Sequence, residues 1–145
     1  MKKDLFFEIA SYLIMFLFLY TGISKLVTFS TFQFDMTRSP ILRYFPTLSA
    51  ILLPVAEILI SVLIFLPNYR KIGLYSSLFL MIIFTIYITY MLLFTPDRPC
   101  TCGGVIRQMS WTQHVFFNLV FIGLSLYAVI KISKRPEPEL TSQYI

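Results

Sequence analysis

A chain of 145 residues that is 57% hydrophobic and only 13% charged, with a mean hydropathy of +0.77, lies outside the composition of soluble globular domains. A net charge of +5 would suggest nucleic acid as a partner of a soluble protein, but here the basic residues stand at the ends of apolar segments, where they orient a membrane protein. Composition therefore predicts a protein in contact with the lipid bilayer and with no nucleic-acid partner.

Four apolar segments are long enough to cross a hydrocarbon core, which requires about 20 helical residues. They cover residues 5–24, 48–66, 72–95 and 112–130. Strands are a poor alternative, because polar and apolar residues do not alternate and an open sheet in lipid would leave backbone groups unsatisfied. The first segment begins like a signal peptide, but it is too long and lacks a small-residue cleavage pattern. We predict an all-α membrane protein, with one four-helix transmembrane bundle over residues 1–133 and a disordered cytoplasmic tail over 134–145.

The basic residues predict how this bundle is oriented. With the N-terminus in the cytoplasm, seven Lys and Arg residues lie close to the inner span ends and five lie outside. The positive-inside rule then favours an N-in, C-in topology in the bacterial cytoplasmic (inner) membrane. The segment between the third and fourth spans, which holds both cysteines, would face the periplasm, a compartment where disulfides form and persist.

The connection between the first and second spans is not an ordinary polar loop. Five aromatic residues stand among charged and polar ones: Phe29, Phe32, Phe34, Tyr44 and Phe45. This mixture is typical of an interfacial amphipathic segment whose rings lie at the acyl boundary. In the third span, Tyr87 and Tyr90 are expected near the headgroups of the outer leaflet.

Two charges fall where lipid makes them costly. Glu57 is at the midpoint of the second span, and a charge at a span centre costs about 2.5–3.5 kcal/mol on insertion scales. Lys25, at the outer end of the first span, is the expected partner, because its long stem can reach inward. The pair either forms a polar pocket for a quinone headgroup or a proton path, or it is a buried ion pair that fixes helix register. Glu8, near the inner end of the first span, is expected to reach cytoplasmic water.

Both cysteines stand in one polar island, Pro99-Cys100-Thr101-Cys102-Gly103-Gly104. A ring closed across one intervening residue is strained, and strained exposed disulfides are oxidising and labile. The pair is therefore a candidate for cycling between dithiol and disulfide; a structural disulfide and inert thiols are the alternatives. A loop this small argues against a structural staple, since closing it removes little chain entropy. Met109 and His114 add soft ligands, but the spacing is not that of a zinc site, and we predict no metal.

The fourth span begins with a capping-box pattern, Ser110-Trp111-Thr112-Gln113. His114 follows it and shares a helix face with Asn118 and Ser125. An imidazole on the cysteine side of the membrane could take a thiol proton or stabilise a thiolate. The alternative is a polar stripe that holds the fourth helix against its neighbours.

The order of three short elements resembles the DoxX-like membrane proteins, and more closely their MauE-like branch, named for methylamine utilisation. The elements are Thr21-Gly22-Ile23-Ser24-Lys25-Leu26, the connection with Ser39-Pro40, and Pro54-Val55-Ala56-Glu57. The late Cys-x-Cys-Gly-Gly segment fits the same branch. The resemblance implies a four-helix inner-membrane protein tied to periplasmic thiol redox chemistry, such as disulfide formation in a partner. It also implies a link to quinones, because DoxX relatives are associated with a thiosulfate-oxidising quinone reductase.

The sequence thus predicts an inner-membrane thiol–disulfide component whose C-x-C pair passes oxidising or reducing equivalents to a periplasmic or membrane-bound partner protein. Cys100, Cys102 and His114 are the predicted catalytic residues, and Lys25 with Glu57 the predicted site for a cofactor, with a quinone as the candidate. Better understood disulfide-generating membrane enzymes relay electrons between two cysteine pairs. With one pair here, either a quinone reoxidises it directly or a second protein supplies the missing pair. The competing hypothesis is a noncatalytic accessory subunit of a larger membrane complex, in which the disulfide only ties a loop.

Overall fold

The computed structural model of the chain describes residues 2–96 and 109–135, with the backbone alone for residues 2–4. The regular elements of this part of the chain are all helical. Two short 3-10 turns, Leu42–Tyr44 and Pro67–Tyr69, join α-helices with the following bounds: α1 Lys2–Val27, α2 Phe29–Arg38, α3 Pro46–Phe65, α4 Arg70–Phe94 and α5 Trp111–Ser133.

Four of these helices, α1, α3, α4 and α5, are long and apolar enough to cross a membrane. They correspond to the four predicted spans and confirm the all-α membrane fold. Each helix carries large apolar side chains on its outer surface, such as Phe16, Leu59, Phe79 and Phe116, which contact lipid in a bilayer. Residues 136–145 of the predicted tail lie outside the described residues.

The four long helices run alternately up and down, so the start of α1, the start of α4 and the end of α5 meet at one end of the bundle. The Arg135 guanidinium lies 4.3 Å from the centre of the Phe7 ring. Arg70 pairs with Glu8 at 2.8 Å between Nη2 and Oε2. Glu8 does more than reach water: its side chain is 26% exposed, and buried Arg70, which packs beside the Phe7 and Tyr12 rings, binds the carboxylate. That this end faces the cytoplasm stays a prediction.

Helices α1 and α3 pack closely along much of their length. The Ser61 hydroxyl of α3 donates to the Met15 carbonyl of α1 at 3.0 Å. Further along, a Cβ placed on Gly22 would lie 2.8 Å from Ile58 Cγ1 and 3.1 Å from the Pro54 carbonyl oxygen. Glycine is required here because any side chain would push the two helices apart. Small residues allow the same close approach of helices in other membrane bundles.

The predicted interfacial segment between the first two spans is the helix α2. One of its faces is buried against α3, where Phe32 and Met36 pack with Ala50. Phe34 and Tyr44 are exposed, as expected of rings at a lipid boundary. The same expectation is wrong for Phe32, only 3% exposed, because α2 packs on the bundle and turns this ring into it.

Candidate functional site

A cavity of about 490 Å³ lies in the half of the bundle that contains the end of α1 and the start of α5. All five helices contribute to its wall. Most of the lining is apolar, with Phe18, Phe32, Met81 and Phe84 among its members. The volume is within the range of about 300–1,000 Å³ that small-molecule sites occupy. Charged and amide side chains lie at only a few positions of the wall, namely Lys25, Glu57, His114 and Asn118.

Lys25 and Glu57 form a two-bond ion pair on this wall. Lys25 Nζ donates to Glu57 Oε1 at 2.7 Å and to Oε2 at 2.9 Å. The two side chains are 9% and 2% exposed, so solvent screens the pair little. The antiparallel packing of α1 on α3 explains the contact, since it brings the last turn of one helix beside the middle of the other. Lys25 is thus the partner of Glu57 that the sequence favours.

The ion pair sets the electrostatic character of the cavity. A cation and an anion held 2.7 Å apart contribute no net charge, yet the ammonium remains a strong hydrogen-bond donor. Aromatic rings flank this ammonium, with the centres of Phe32 and Phe84 5.8 and 5.9 Å from Nζ. A cavity of this kind suits an uncharged ligand that carries a hydrogen-bond acceptor.

Helix α5 contributes the other polar residues of the wall, and its start is fixed by the predicted capping box. Ser110 Oγ accepts from the Gln113 backbone N–H at 3.2 Å, and Gln113 Oε1 accepts from the Ser110 N–H at 3.0 Å. His114 and Asn118, one turn apart, then face the cavity. Both are buried, and Ser125 is buried on the same face deeper in the bundle, so the three residues share one face as predicted. That this face holds α5 against its neighbours stays a prediction.

Asn118 differs from the other polar residues of the wall. Its side chain is 5% exposed and makes no hydrogen bond to another described residue. A buried amide without a partner costs about 1–3 kcal/mol relative to one that is satisfied. Because this amide lines the cavity, a bound molecule can satisfy it.

With this geometry established, comparison of the sequence with protein families matches residues 3–131 to the family described as Methylamine utilisation protein MauE. The chain belongs to the MauE family. The match includes all four membrane-spanning helices and the cysteine segment between α4 and α5. Searches of curated proteins and of solved structures each found no match. The MauE-like resemblance is confirmed, while membership of a wider DoxX-like superfamily stays a prediction.

The predicted site residues of this MauE protein divide into two groups. Lys25, Glu57 and His114 lie together on the wall of the cavity. Cys100 and Cys102 lie outside the described residues, so their redox role and the proposed help from His114 stay predictions.

One residue of the cavity wall, Tyr87, was not expected there. The Tyr87 hydroxyl and Ser39 Oγ share a hydrogen bond of 2.6 Å, which ties α4 to the end of α2. Tyr87 lines the cavity, and that it lies at the depth of the headgroups stays a prediction. No sequence signal identified this inward face, because α4 is apolar all round and its periodicity does not show which side packs inward.

Proposed function

We propose that this MauE protein is an inner-membrane thiol–disulfide redox component whose Cys100 and Cys102 face the periplasm and exchange electrons with a partner protein. One observation carries the proposal. Pro96 after α4 and Met109 before α5, the described residues nearest to the C-x-C pair along the chain, lie at the end of the bundle where the polar residues of the cavity lie. A dithiol and a site for a small redox molecule would then share one end of the bundle.

The proposed exchange runs from the partner to the C-x-C pair. A partner thiolate attacks one sulfur of the Cys100–Cys102 disulfide and forms a mixed disulfide. The second partner thiolate displaces the bound cysteine, so the partner gains a disulfide and the pair becomes two thiols. Restoring the pair removes two electrons and two protons, and a membrane quinone that takes up both becomes a quinol. The strain of so small a disulfide ring favours this oxidising direction.

His114 is the proposed base for this chemistry. It lies in the first turn of α5, close along the chain to the cysteine segment, and its side chain is buried on the cavity wall. A neutral imidazole in that position can accept a proton from a thiol as the thiolate forms. We expect His114→Gln to slow exchange without preventing the Cys100–Cys102 disulfide from forming.

A second candidate function is that of a noncatalytic accessory subunit, and the two-bond Lys25–Glu57 pair favours it by holding α1 and α3 in register. The name of the family supports an accessory role of either kind in methylamine utilisation. The two functions differ in what the cysteines do. In an accessory subunit, replacing either cysteine lowers stability modestly and leaves function intact, whereas Glu57→Gln is at least as damaging.

Trapping of a mixed disulfide tests the proposed exchange. In Cys100→Ser or Cys102→Ser, the remaining thiol cannot resolve a bond to the partner. The remaining thiolate can still attack the disulfide of the oxidised partner, the reverse of the proposed exchange, and this displaces one partner thiolate. We expect at least one of these variants to accumulate the resulting covalent complex in native membranes, and dithiothreitol to release it. The double serine variant controls for other disulfides, and Thr101→Ala, which keeps both thiols, should accumulate none. If neither single variant accumulates the complex and the cells keep their normal growth on methylamine, the result supports the hypothesis of an accessory subunit.

A further inference from the structure

We propose that the cavity between the helices binds the headgroup of a lipid-soluble quinone, which enters sideways from the bilayer and is held by Lys25 and Asn118. This inference deepens the proposed function by locating the binding site of the electron acceptor. It rests on that function only for electron transfer, because the binding itself involves neither cysteine.

The unsatisfied amide of Asn118 is the first observation that points to a ligand. The side chain is 5% exposed, lines the cavity and has no hydrogen-bond partner among the described residues. Buried polar groups in proteins nearly always have a partner. A carbonyl oxygen inside the cavity would accept from the Asn118 amide and supply that partner.

Lys25 provides a second donor on the cavity wall, from α1. Its ammonium has three N–H groups, and the two hydrogen bonds to Glu57 leave one for a ligand. Two donors, from α1 and α5, match an uncharged headgroup with two carbonyl acceptors, as in a benzoquinone or naphthoquinone. The aromatic side chains of Phe32 and Phe84 beside the ammonium provide apolar surface for such a ring.

Charge distinguishes a quinone from other lipids. Glu57 already neutralises Lys25, so the polar end of the cavity has no net positive charge with which to bind a phosphate or a fatty carboxylate. An anion here would also meet the Glu57 carboxylate, and like charges in a low-dielectric site repel strongly. An uncharged carbonyl headgroup avoids both costs.

The edge of the cavity along α4 is open toward lipid. Ile83 and Ile86 line the cavity and are 43% and 65% exposed on the outer surface of the bundle. Ile41, in the connection after α2, also lines it and is 52% exposed. A headgroup can therefore occupy the polar end while its apolar tail leaves between α4 and this connection into the bilayer.

Quenching of tryptophan fluorescence by a quinone tests the site directly. Trp111 is the single tryptophan of the chain and lies one turn before His114 at the start of α5. The probe is decylubiquinone, titrated into the full chain in lipid nanodiscs, with Cys100→Ser and Cys102→Ser introduced so that no thiol reacts. We expect saturable quenching, and Asn118→Leu should raise the half-saturation concentration at least about tenfold.

Ser125→Ala is the matched control, since Ser125 is buried on the same face of α5 but does not line the cavity. Its titration should be unchanged. Quenching that rises linearly with the ratio of quinone to lipid, equally in all variants, would overturn the inference. If Asn118→Leu does not fold, photolabelling of the protein with Asn118 in place, using an azidoquinone, tests whether the cavity binds the quinone. Adducts on cavity-lining segments support the site, and adducts spread over the lipid-facing surface contradict it.

The two proposals fail separately in these experiments. Saturable binding in the cysteine-free protein, with no mixed disulfide in either single-cysteine variant and no oxidation of the thiols by quinone, would leave the site and refute the thiol redox function. Thiols that cycle in the absence of saturable quinone binding would leave the function and refute the site.

Discussion

The Lys25–Glu57 ion pair offers the sharpest test of the fold, because each partner is buried and binds the other twice. At 2.7 Å, the attraction between two unit charges is about 6 kcal/mol for an effective dielectric constant of about 20. Much of this attraction is offset by the loss of hydration when both ions enter the bundle. The attraction between the two charges therefore affects the measured stability mainly when one partner is removed and the other remains buried without a counter-charge.

We expect Glu57→Leu and Lys25→Met each to lower the free energy of unfolding by about 3–5 kcal/mol, the usual cost of leaving one member of a buried pair. The double variant removes both charges and replaces them with apolar side chains of similar size. It should be more stable than either single variant, because replacement of a whole buried pair is often neutral or stabilising.

Equilibrium unfolding of the detergent-solubilised protein in increasing sodium dodecyl sulfate, followed by circular dichroism, measures all four members of this cycle. The refuting result is additivity, in which the double variant loses the sum of the two single losses. Single losses below about 0.5 kcal/mol would also refute the account, since such values are typical of exposed positions.

Two further changes test the packing around the site with the same unfolding assay. Gly22→Ala should cost about 1–3 kcal/mol, because its Cβ would lie 2.8 Å from Ile58 Cγ1, whereas Gly123→Ala, with nothing within 4 Å, should change stability by less than about 0.5 kcal/mol. Ser110→Ala removes the hydroxyl that accepts from the Gln113 N–H and should cost about 1 kcal/mol, and an unchanged stability would show that the cap does not fix the start of α5.

Hydrophobicity and local signals were sufficient to predict much of the fold. An apolar run in lipid must satisfy its own backbone, so each of the four runs could only be a helix. The capping box placed the start of α5 for a local reason, since a serine and a glutamine three residues apart satisfy each other's backbone groups. The Lys25–Glu57 pair was also predictable, because a charge at a span centre requires a partner and few were within reach.

The sequence could not show which face of each helix points into the bundle. The long helices are apolar on all sides, so the pattern distinguishes lipid-facing from buried positions poorly. Phe32 was therefore assigned to the interface, although it is buried between α2 and α3. The hydrogen bond between Tyr87 and Ser39 was likewise not predicted. The cavity itself arises from the packing of five helices and has no local signature. The partnership of Glu8 with Arg70 likewise depends on α1 and α4 being neighbours.

The central claim is that Cys100 and Cys102 exchange electrons rather than tie a loop. The most direct test traps their redox state in native membranes with a thiol-alkylating mass tag, before and after a mild reductant and before and after added quinone. The account predicts a mixed population that shifts toward thiols with the reductant and toward the disulfide with the quinone. A bond that stays oxidised under mild reductant, or thiols that stay reduced with the quinone present, would contradict it.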